Sequence, residues 1–91
     1  MNYTWDPQKA LSNFEKHGIH FADAVGVLED EQALSMEDLA NYGEERFVAI
    51  GTDYLGRILT IVFTYRSDEM RLISARKATK KERSAYEKGT L

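Results

Sequence analysis

The chain has 91 residues, 43% hydrophobic and 11% aromatic, which is enough for one packed domain over residues 1–91 and excludes an intrinsically disordered protein. It contains no cysteine, so disulfides, thiolate metal ligands and a cysteine nucleophile are excluded. It has 12 Lys and Arg against 15 Asp and Glu, with no long apolar run and no signal peptide, so we expect a cytoplasmic protein that stays out of the membrane.

The N-terminal stretch YTWDPQKALSNFEKHG predicts a short strand followed by a helix. Asp6 suits the N-cap because its carboxylate can accept hydrogen bonds from free backbone amides, and Pro7 fits the first helical position. Gly18 can end the helix in the left-handed conformation. One apolar face of this helix is formed by residues at helical spacing: Ala10, Leu11, Phe14 and His17.

A second helix is predicted within HFADAVGVLED, residues 20–30. Gly26 lowers its helix propensity, so we expect a short helix that depends on packing. Residues 33–38 then predict a strand, and residues 39–45 predict a polar loop. The apolar side of the helix consists of Phe21, Ala24, Val25 and Leu28.

Three stronger strands are predicted over residues 46–52, 57–65 and 70–77, which are rich in β-branched and aromatic residues. Their short connections contain Gly or Asp, which is typical of an antiparallel meander. We expect the first two helices to cover one face of this sheet.

The last element is a helix from Lys80 to about Lys88. Thr79 and Glu82 have the spacing of a capping box, in which each side chain binds the backbone amide of the other residue. The sequence therefore predicts an α+β domain. It has an antiparallel sheet of four main strands plus a short N-terminal strand, two N-terminal helices and one C-terminal helix.

Charge is distributed unevenly along the chain. Residues 71–88 contain seven bases and two acids, whereas residues 29–45 contain seven acids and no base. This division suggests a cationic surface for phosphates and an acidic surface for a basic partner. The alternative is that both are only solvated faces, and charge counts alone favour that alternative.

Three segments of the chain are similar to the BrnT toxin family: WDPQKALSNFEKHGIHFADA, GEERFVAIG and RLISARKATKKERSAYE. The likeness covers nearly the whole chain in the family's segment order. Its most specific part is the closing motif, Arg-x-Ile-Ser-Ala-Arg-x-Ala-Thr-x-x-Glu-Arg-x-x-Tyr. One departure is His20, which stands where the family usually has Ser or Thr as helix N-cap, and which puts that cap in question.

The resemblance implies a RelE-like fold and an endoribonuclease toxin of a type II toxin–antitoxin system. It further implies a hetero-oligomer with a cognate antitoxin of the ribbon-helix-helix type, so that DNA is contacted only through the antitoxin. The basic antitoxin would lie across the acidic segment or across the cationic site. Two alternatives of other classes stay open, a non-catalytic nucleic-acid-binding module and a protein-binding regulatory partner.

Metal-free RNA cleavage needs a base for the 2′-hydroxyl, a cation for the pentavalent phosphorane and an acid for the leaving oxygen. Arginine suits the second task because its planar fork binds two phosphate oxygens and stays charged. Arg76 is the first candidate, since it lies where the last strand meets the start of the helix. Its structural alternative is a surface ion pair.

Arg46 and Arg71 lie near the starts of their strands and are further catalytic candidates. Five residues separate Arg71 from Arg76, which places them on opposite faces of a regular strand. A bulge or an early strand end would be needed to bring them together. Glu44, two residues before Arg46, is expected to be its ion-pair partner.

Four residues are candidates for the proton transfers: Lys16, His17, Glu82 and Tyr86. Each has a structural alternative. His17 would pack or cap the helix, and Lys16 would complement the helix dipole. Glu82 would serve the capping box, and Tyr86 would anchor the last helix to the sheet.

The remaining cations of the basic segment are expected to attract RNA, and these are Lys77, Lys80, Lys81 and Arg83. No metal and no other cofactor is expected. The two histidines, three residues apart around Gly18, do not form a ligand set, and neither a phosphate-binding Gly-rich loop nor a nucleophile triad is found in the sequence.

Overall fold

The helices and strands follow one another in the predicted order β-α-α-β-β-β-β-α. They are seen in a computed structural model of the protein, which describes residues 1–38 and 45–90. Most of the loop predicted over residues 39–45, including Glu44, lies outside the described residues. The elements are β1 (Asn2–Thr4), α1 (Pro7–His17), α2 (Phe21–Leu28), β2 (Leu34–Glu37), β3 (Phe47–Thr52), β4 (Ile58–Arg66), β5 (Glu69–Lys77) and α3 (Lys80–Lys88).

The strands form a five-stranded sheet with the order β1-β5-β4-β3-β2. Strands β2 to β5 pair with their sequence neighbours in antiparallel fashion, so the predicted meander and the α+β fold are confirmed. Strand β1 is added beside β5 in the parallel direction. Parallel strands need a long connection, and the residues between Thr4 and Glu69 supply it.

The predicted ends of α1 and α3 are confirmed. Asp6 accepts a hydrogen bond from the amide of Gln8 at 2.8 Å, and Gly18 ends α1 at a φ of 70°. In α3 both halves of the capping box between Thr79 and Glu82 are formed. These local signals therefore placed the helix ends correctly.

The face of α1 that meets the sheet differs from the prediction. Leu11 is 63% exposed and Phe14 is 40% exposed, whereas Asn13 is buried. The side-chain amide of Asn13 donates to the carbonyl of Ala75 at 2.9 Å and accepts from its amide at 3.0 Å. The predicted apolar face is confirmed for Ala10, which packs against the core, and was wrong for Leu11 and Phe14. The helix instead turns Asn13 towards the sheet, because its side chain satisfies backbone groups at the edge of β5.

His20 precedes α2 but makes no side-chain cap, as its departure from the usual Ser or Thr suggested. Its ring instead stacks on Phe14, with centroids 4.0 Å apart. Within α2, a Cβ on Gly26 would lie 2.5 Å from the backbone nitrogen of Tyr54. Glycine therefore lets the β3–β4 turn approach the helix, which explains a residue that weakens helix propensity.

Helices α1 and α2 cover one face of the sheet and form the main core with it. Helix α3 lies on the other face, where Glu82 contacts Thr60 of β4 and Tyr86 contacts Thr52 of β3. We call this second side the α3 face. In the described residues, no helix is long and apolar enough to cross a membrane.

A β-bulge in β5 determines which residues reach the α3 face. Leu72 lies opposite Phe63 and Ser74 lies opposite Val62, so Ile73 is an extra residue without a partner. The bulge reverses the alternation of side chains along β5 at this point. Residues before and after it that would lie on opposite faces are therefore brought to the same face.

Candidate active site on the α3 face of the sheet

The bulge places Arg71 and Arg76 on one face. Arg71 pairs with Thr64 and Arg76 pairs with Thr60, and these two threonines are four residues apart on the same side of β4. Arg46 lies just before β3, where Phe47 pairs with Phe63, and alternation directs it to this face too. The bulge that sequence reasoning required for Arg71 and Arg76 is thus present.

Arg76 is held at the end of β5 by Glu82 of α3. Its Nη1 donates to Oε1 of Glu82 at 2.7 Å and its Nη2 donates to Oε2 at 3.0 Å, while Nη1 also donates to the carbonyl of Lys77 at 3.3 Å. A guanidinium carries five N–H groups, so the Nε–H and one N–H of Nη2 remain. These two lie along one edge of the fork, which suits bidentate binding of a phosphate.

Glu82 is tied down by several donors at once. Besides Arg76, the hydroxyl of Thr60 donates to it at 2.9 Å and the amide of Thr79 donates at 2.8 Å. The hydrogen bond from Arg76 is the main reason that the pKa of Glu82 falls to about 2. Glu82 is therefore ionised at neutral pH, which makes it an orienting acceptor for Arg76 and unsuited to donating a proton.

Tyr86 anchors α3 to the rest of the domain through hydrogen bonds of its hydroxyl. Its hydroxyl donates to Asp30 at 2.6 Å and lies 2.9 Å from the hydroxyl of Thr52, whose own amide donates to Asp30 at 2.9 Å. The hydrogen bond to Asp30 raises the pKa of Tyr86. The phenol is thus protonated at neutral pH, and its proton is directed at Asp30.

Arg46 and Arg71 lie at the other end of the α3 face, on either side of Thr64. Within the described part of the chain, neither side chain has a hydrogen bond or an ion pair, and both are half-buried. The Nε of Arg46 is buried without an acceptor. Among the described residues, the hydrogen-bonding capacity of these two guanidinium groups is therefore unused.

Lys16 and His17 lie at the C-terminal end of α1, beside the bulge. With Ser12 and Ser74 they line a groove of about 170 Å³ between α1 and β5. Ser74 is two positions from Arg76 on the same face of the strand, so this groove adjoins the arginine site. Lys16 and His17 therefore lie at the edge of β5, and Ser74 is the residue through which their groove meets the α3 face.

The other basic candidates are distributed over different surfaces. Lys77 is the last residue of β5 and lines a hollow at the edge of the sheet with Arg57 and with Arg83 of α3. Lys80 and Lys81 are exposed in the first turn of α3. The basic segment that is continuous in sequence is therefore divided in space between the two arginines of β5 on the α3 face, the hollow beside Arg57 and the exposed side of α3.

Three residues of this region escaped the sequence reasoning. Asn13 holds the backbone of Ala75 between the bulge and Arg76. Thr60 supports Glu82, and Asp30 fixes Tyr86. Each contact joins residues at least 22 positions apart, and no local pattern distinguishes these side chains from ordinary strand, helix or loop residues.

Residues 1–38 and 45–90 contain no group of three or more His, Asp or Glu side chains that could hold a metal ion. The groups gathered on the α3 face are instead arginine, glutamate, serine and threonine, with lysine and histidine at its edge. Such a set can bind phosphate, orient a cation and exchange protons.

Comparisons with known proteins identify a family and a solved structure to which this chain is similar. Residues 5–82 match the family described as "Ribonuclease toxin, BrnT, of type II toxin-antitoxin system". The crystal structure of the Brucella abortus ribonuclease toxin BrnT is 30% identical in sequence and superimposes with a TM-score of 0.68, covering 88% of this chain and 99% of that one. The search among curated proteins found no match.

Proposed function

This chain belongs to the BrnT family of ribonuclease toxins of type II toxin–antitoxin systems, and from that premise we propose that it cuts RNA without a divalent metal. In this proposal the ribose 2′-hydroxyl attacks the neighbouring phosphate. The bond to the 5′-oxygen then breaks, which leaves a 2′,3′-cyclic phosphate and a 5′-hydroxyl. The observation that carries the proposal is the oriented fork of Arg76, with one edge open beside the sheet face.

Arg76 is proposed to stabilise the phosphorane. Charge on the equatorial oxygens grows during the attack, and a donor pair already fixed in position stabilises that charge without reorganising. Glu82 fixes the outer end of the fork, and the Nε–Nη2 edge is left for two phosphate oxygens. Glu82 is therefore proposed as a positioning residue.

The proton transfers are assigned to the groove at the end of α1. Glu82 stays ionised and the proton of Tyr86 is directed at Asp30, so neither is a good donor to a leaving oxygen. Lys16 and His17 line the groove that adjoins Ser74, and a histidine exchanges protons near neutral pH. We assign His17 the acid or base role and Lys16 a supporting charge.

The exposed cations around α3 are proposed to attract RNA rather than to react with it. Lys80, Lys81 and Arg83 are exposed, and Lys77 lies near Arg83 at the edge of the sheet. Such charges raise the local concentration of a polyanion and lose this effect as salt increases. Because the RNA substrate is in the cytoplasm, that is where we expect the toxin to act.

The partners of this family are an RNA substrate and an antitoxin. We propose that the antitoxin is of the ribbon-helix-helix type, forms a hetero-oligomer with the toxin and supplies the only contact with DNA. It would neutralise the toxin by covering the α3 face or by lying on the acidic stretch that includes Glu29, Asp30 and Glu31.

The proposal is tested by incubating the purified protein with end-labelled RNA in EDTA. We expect cleavage to proceed, with products that carry a cyclic phosphate and a 5′-hydroxyl. Replacing the ribose at the cut position by deoxyribose removes the nucleophile and should abolish that cut. Cleavage that stops in EDTA and returns with magnesium would contradict the mechanism, and RNA binding without cleavage would favour a non-catalytic binding module.

A further inference from the structure

We propose that Arg46 and Arg71 form a second phosphate-binding site, which holds the RNA strand at a phosphate away from the bond that is cut. The inference rests on the proposed function, because it takes Arg76 as the cleavage end of the α3 face. It assigns the two arginines a role in positioning the substrate, whereas the sequence placed them among the catalytic candidates.

The distance along the sheet separates the two sites. Arg71 lies opposite Thr64 and Arg76 lies opposite Thr60. Four strand residues span about 13 Å at the usual rise of about 3.3 Å per residue. At a rise of about 3.4 Å per nucleotide this corresponds to about four nucleotides of a stacked strand, and to fewer of an extended strand. Because Glu82 of α3 also holds the guanidinium of Arg76 at its own end of the face, Arg46 and Arg71 are placed to bind a different phosphate.

The hydrogen-bonding state of the arginines supports the assignment. Arg76 has most of its donors occupied by Glu82 and the carbonyl of Lys77. Arg46 and Arg71 have no side-chain partner within the described residues, and the Nε of Arg46 is buried without an acceptor. A buried donor without a partner is unfavourable, and an anion beside it would remove that penalty.

The surface between the two sites can carry the intervening nucleotides. Val48 and Val62 form a cross-strand pair there, and Ser74 lies opposite Val62. All three are half-buried and small, so they leave room for a strand to lie along the sheet. Valine side chains offer sugars and bases van der Waals contact rather than hydrogen bonds, so we expect the second site to act without strong sequence preference.

The experiment measures the binding of RNA in which a 2′-deoxy substitution prevents cleavage. The RNAs form two series in which each member is one nucleotide longer than the one before, at the 5′ end in one series and at the 3′ end in the other. Fluorescence anisotropy on the parental protein should show a step in affinity when the strand becomes long enough to reach the second site. In Arg71→Ala and Arg46→Gln the step should be lost, on the order of tenfold in affinity for the longer RNA. Circular dichroism checks that both variants are folded.

Salt dependence gives a second readout. Loss of one phosphate contact should lower the slope of log affinity against log salt by about 0.7 for the longer RNA, and leave the slope for the shortest RNA nearly unchanged. The charge-matched control is Lys88→Ala, on exposed α3. This change should weaken all lengths by a similar factor, since it removes only general attraction.

The outcomes separate this inference from the proposed function. If Arg71→Ala weakens short and long RNA equally, or if the parental protein shows no step, the second site is wrong even when RNA is cut as proposed. If the step and its loss are seen but no RNA is cut under any condition, the second site stands and the proposed cleavage fails.

Discussion

The two ends of the α3 face differ in how their arginines are satisfied. At the end beneath α3, the Arg76 fork is fixed by Glu82, which is itself held by Thr60 and the capping box. At the other end, Arg46 and Arg71 have no such partner within the described residues. The same residue type is therefore oriented before substrate arrives in one place and left available in the other.

This difference suggests different tasks for the two ends. An arginine with a fixed fork loses little freedom when charge develops beside it, which favours stabilisation of a transition state. Arg46 and Arg71, which have no side-chain partner within residues 1–38 and 45–90, must become ordered when they bind, so they contribute to substrate affinity more than to rate. The predictions below separate the two tasks, beginning with the largest expected effect.

Arg76→Ala should mainly slow the chemical step. Loss of one oriented contact to the phosphorane costs about 3 kcal/mol, on the order of a hundredfold in rate. Arg76→Lys should not restore the rate fully, because a point charge cannot bind two oxygens as the fork does. Single-turnover cleavage at saturating enzyme measures this effect. A folded Arg76→Ala protein that cuts at the parental rate would show that Arg76 is only a surface charge.

Asn13→Leu should destabilise the strand segment that connects the two ends. The substitution leaves the amide and carbonyl of Ala75 unpaired in a buried position, which costs about 2 kcal/mol. Urea denaturation should show the loss. Ser12→Ala, at a neighbouring exposed position of α1, serves as the control and should stay within about 0.5 kcal/mol of the parent. Equal stability of the two variants would contradict this role of Asn13.

Glu82→Gln should affect both stability and rate, and its stability effect depends on pH. The folded-state pKa of Glu82 is about 2, below its ordinary value of 4.5. Glu82 therefore contributes stability that is fully present above about pH 4.5 and is lost as the pH falls towards 2. We expect a loss of about 2 kcal/mol at neutral pH that shrinks in acid.

Cleavage by Glu82→Gln should fall by less than cleavage by Arg76→Ala, because the guanidinium remains but is less firmly oriented. Denaturation curves from pH 2 to 7 and single-turnover rates test the two parts separately. A stability difference that does not change with pH would show that the ionised form of Glu82 is not what stabilises the fold.

Tyr86→Phe should have the smallest effect, and mainly on stability. It removes the hydrogen bonds to Asp30 and Thr52 but keeps the ring, which costs about 1 kcal/mol. For a domain of this size that corresponds to about 4–8 °C in melting temperature. Thermal denaturation measures it. A drop in cleavage rate as large as that of Arg76→Ala would instead show that Tyr86 takes part in catalysis.

The candidate site was partly accessible from the sequence. Arg76 was identified from its place at the junction of strand and helix, and the structure locates it there beside Glu82. The sequence did not show that Glu82 binds Arg76 as well as completing the capping box, because Arg76 belongs to β5 and Glu82 belongs to α3. It also placed the basic residues in one segment, although Arg76 is bound to Glu82 while Lys77 lines a separate hollow with Arg57 and Arg83.

The sequence by itself determined the features that depend on near neighbours. Helix caps at Asp6, Gly18 and Thr79, alternation in the strands and short turns arise from contacts a few residues apart, and these also set the α+β class and the element order. Tertiary structure decided the rest. The bulge at Ile73 unites Arg71 with Arg76, and Asn13 holds the strand beside it. Both depend on pairing between distant segments, whose register is fixed only when the core packs.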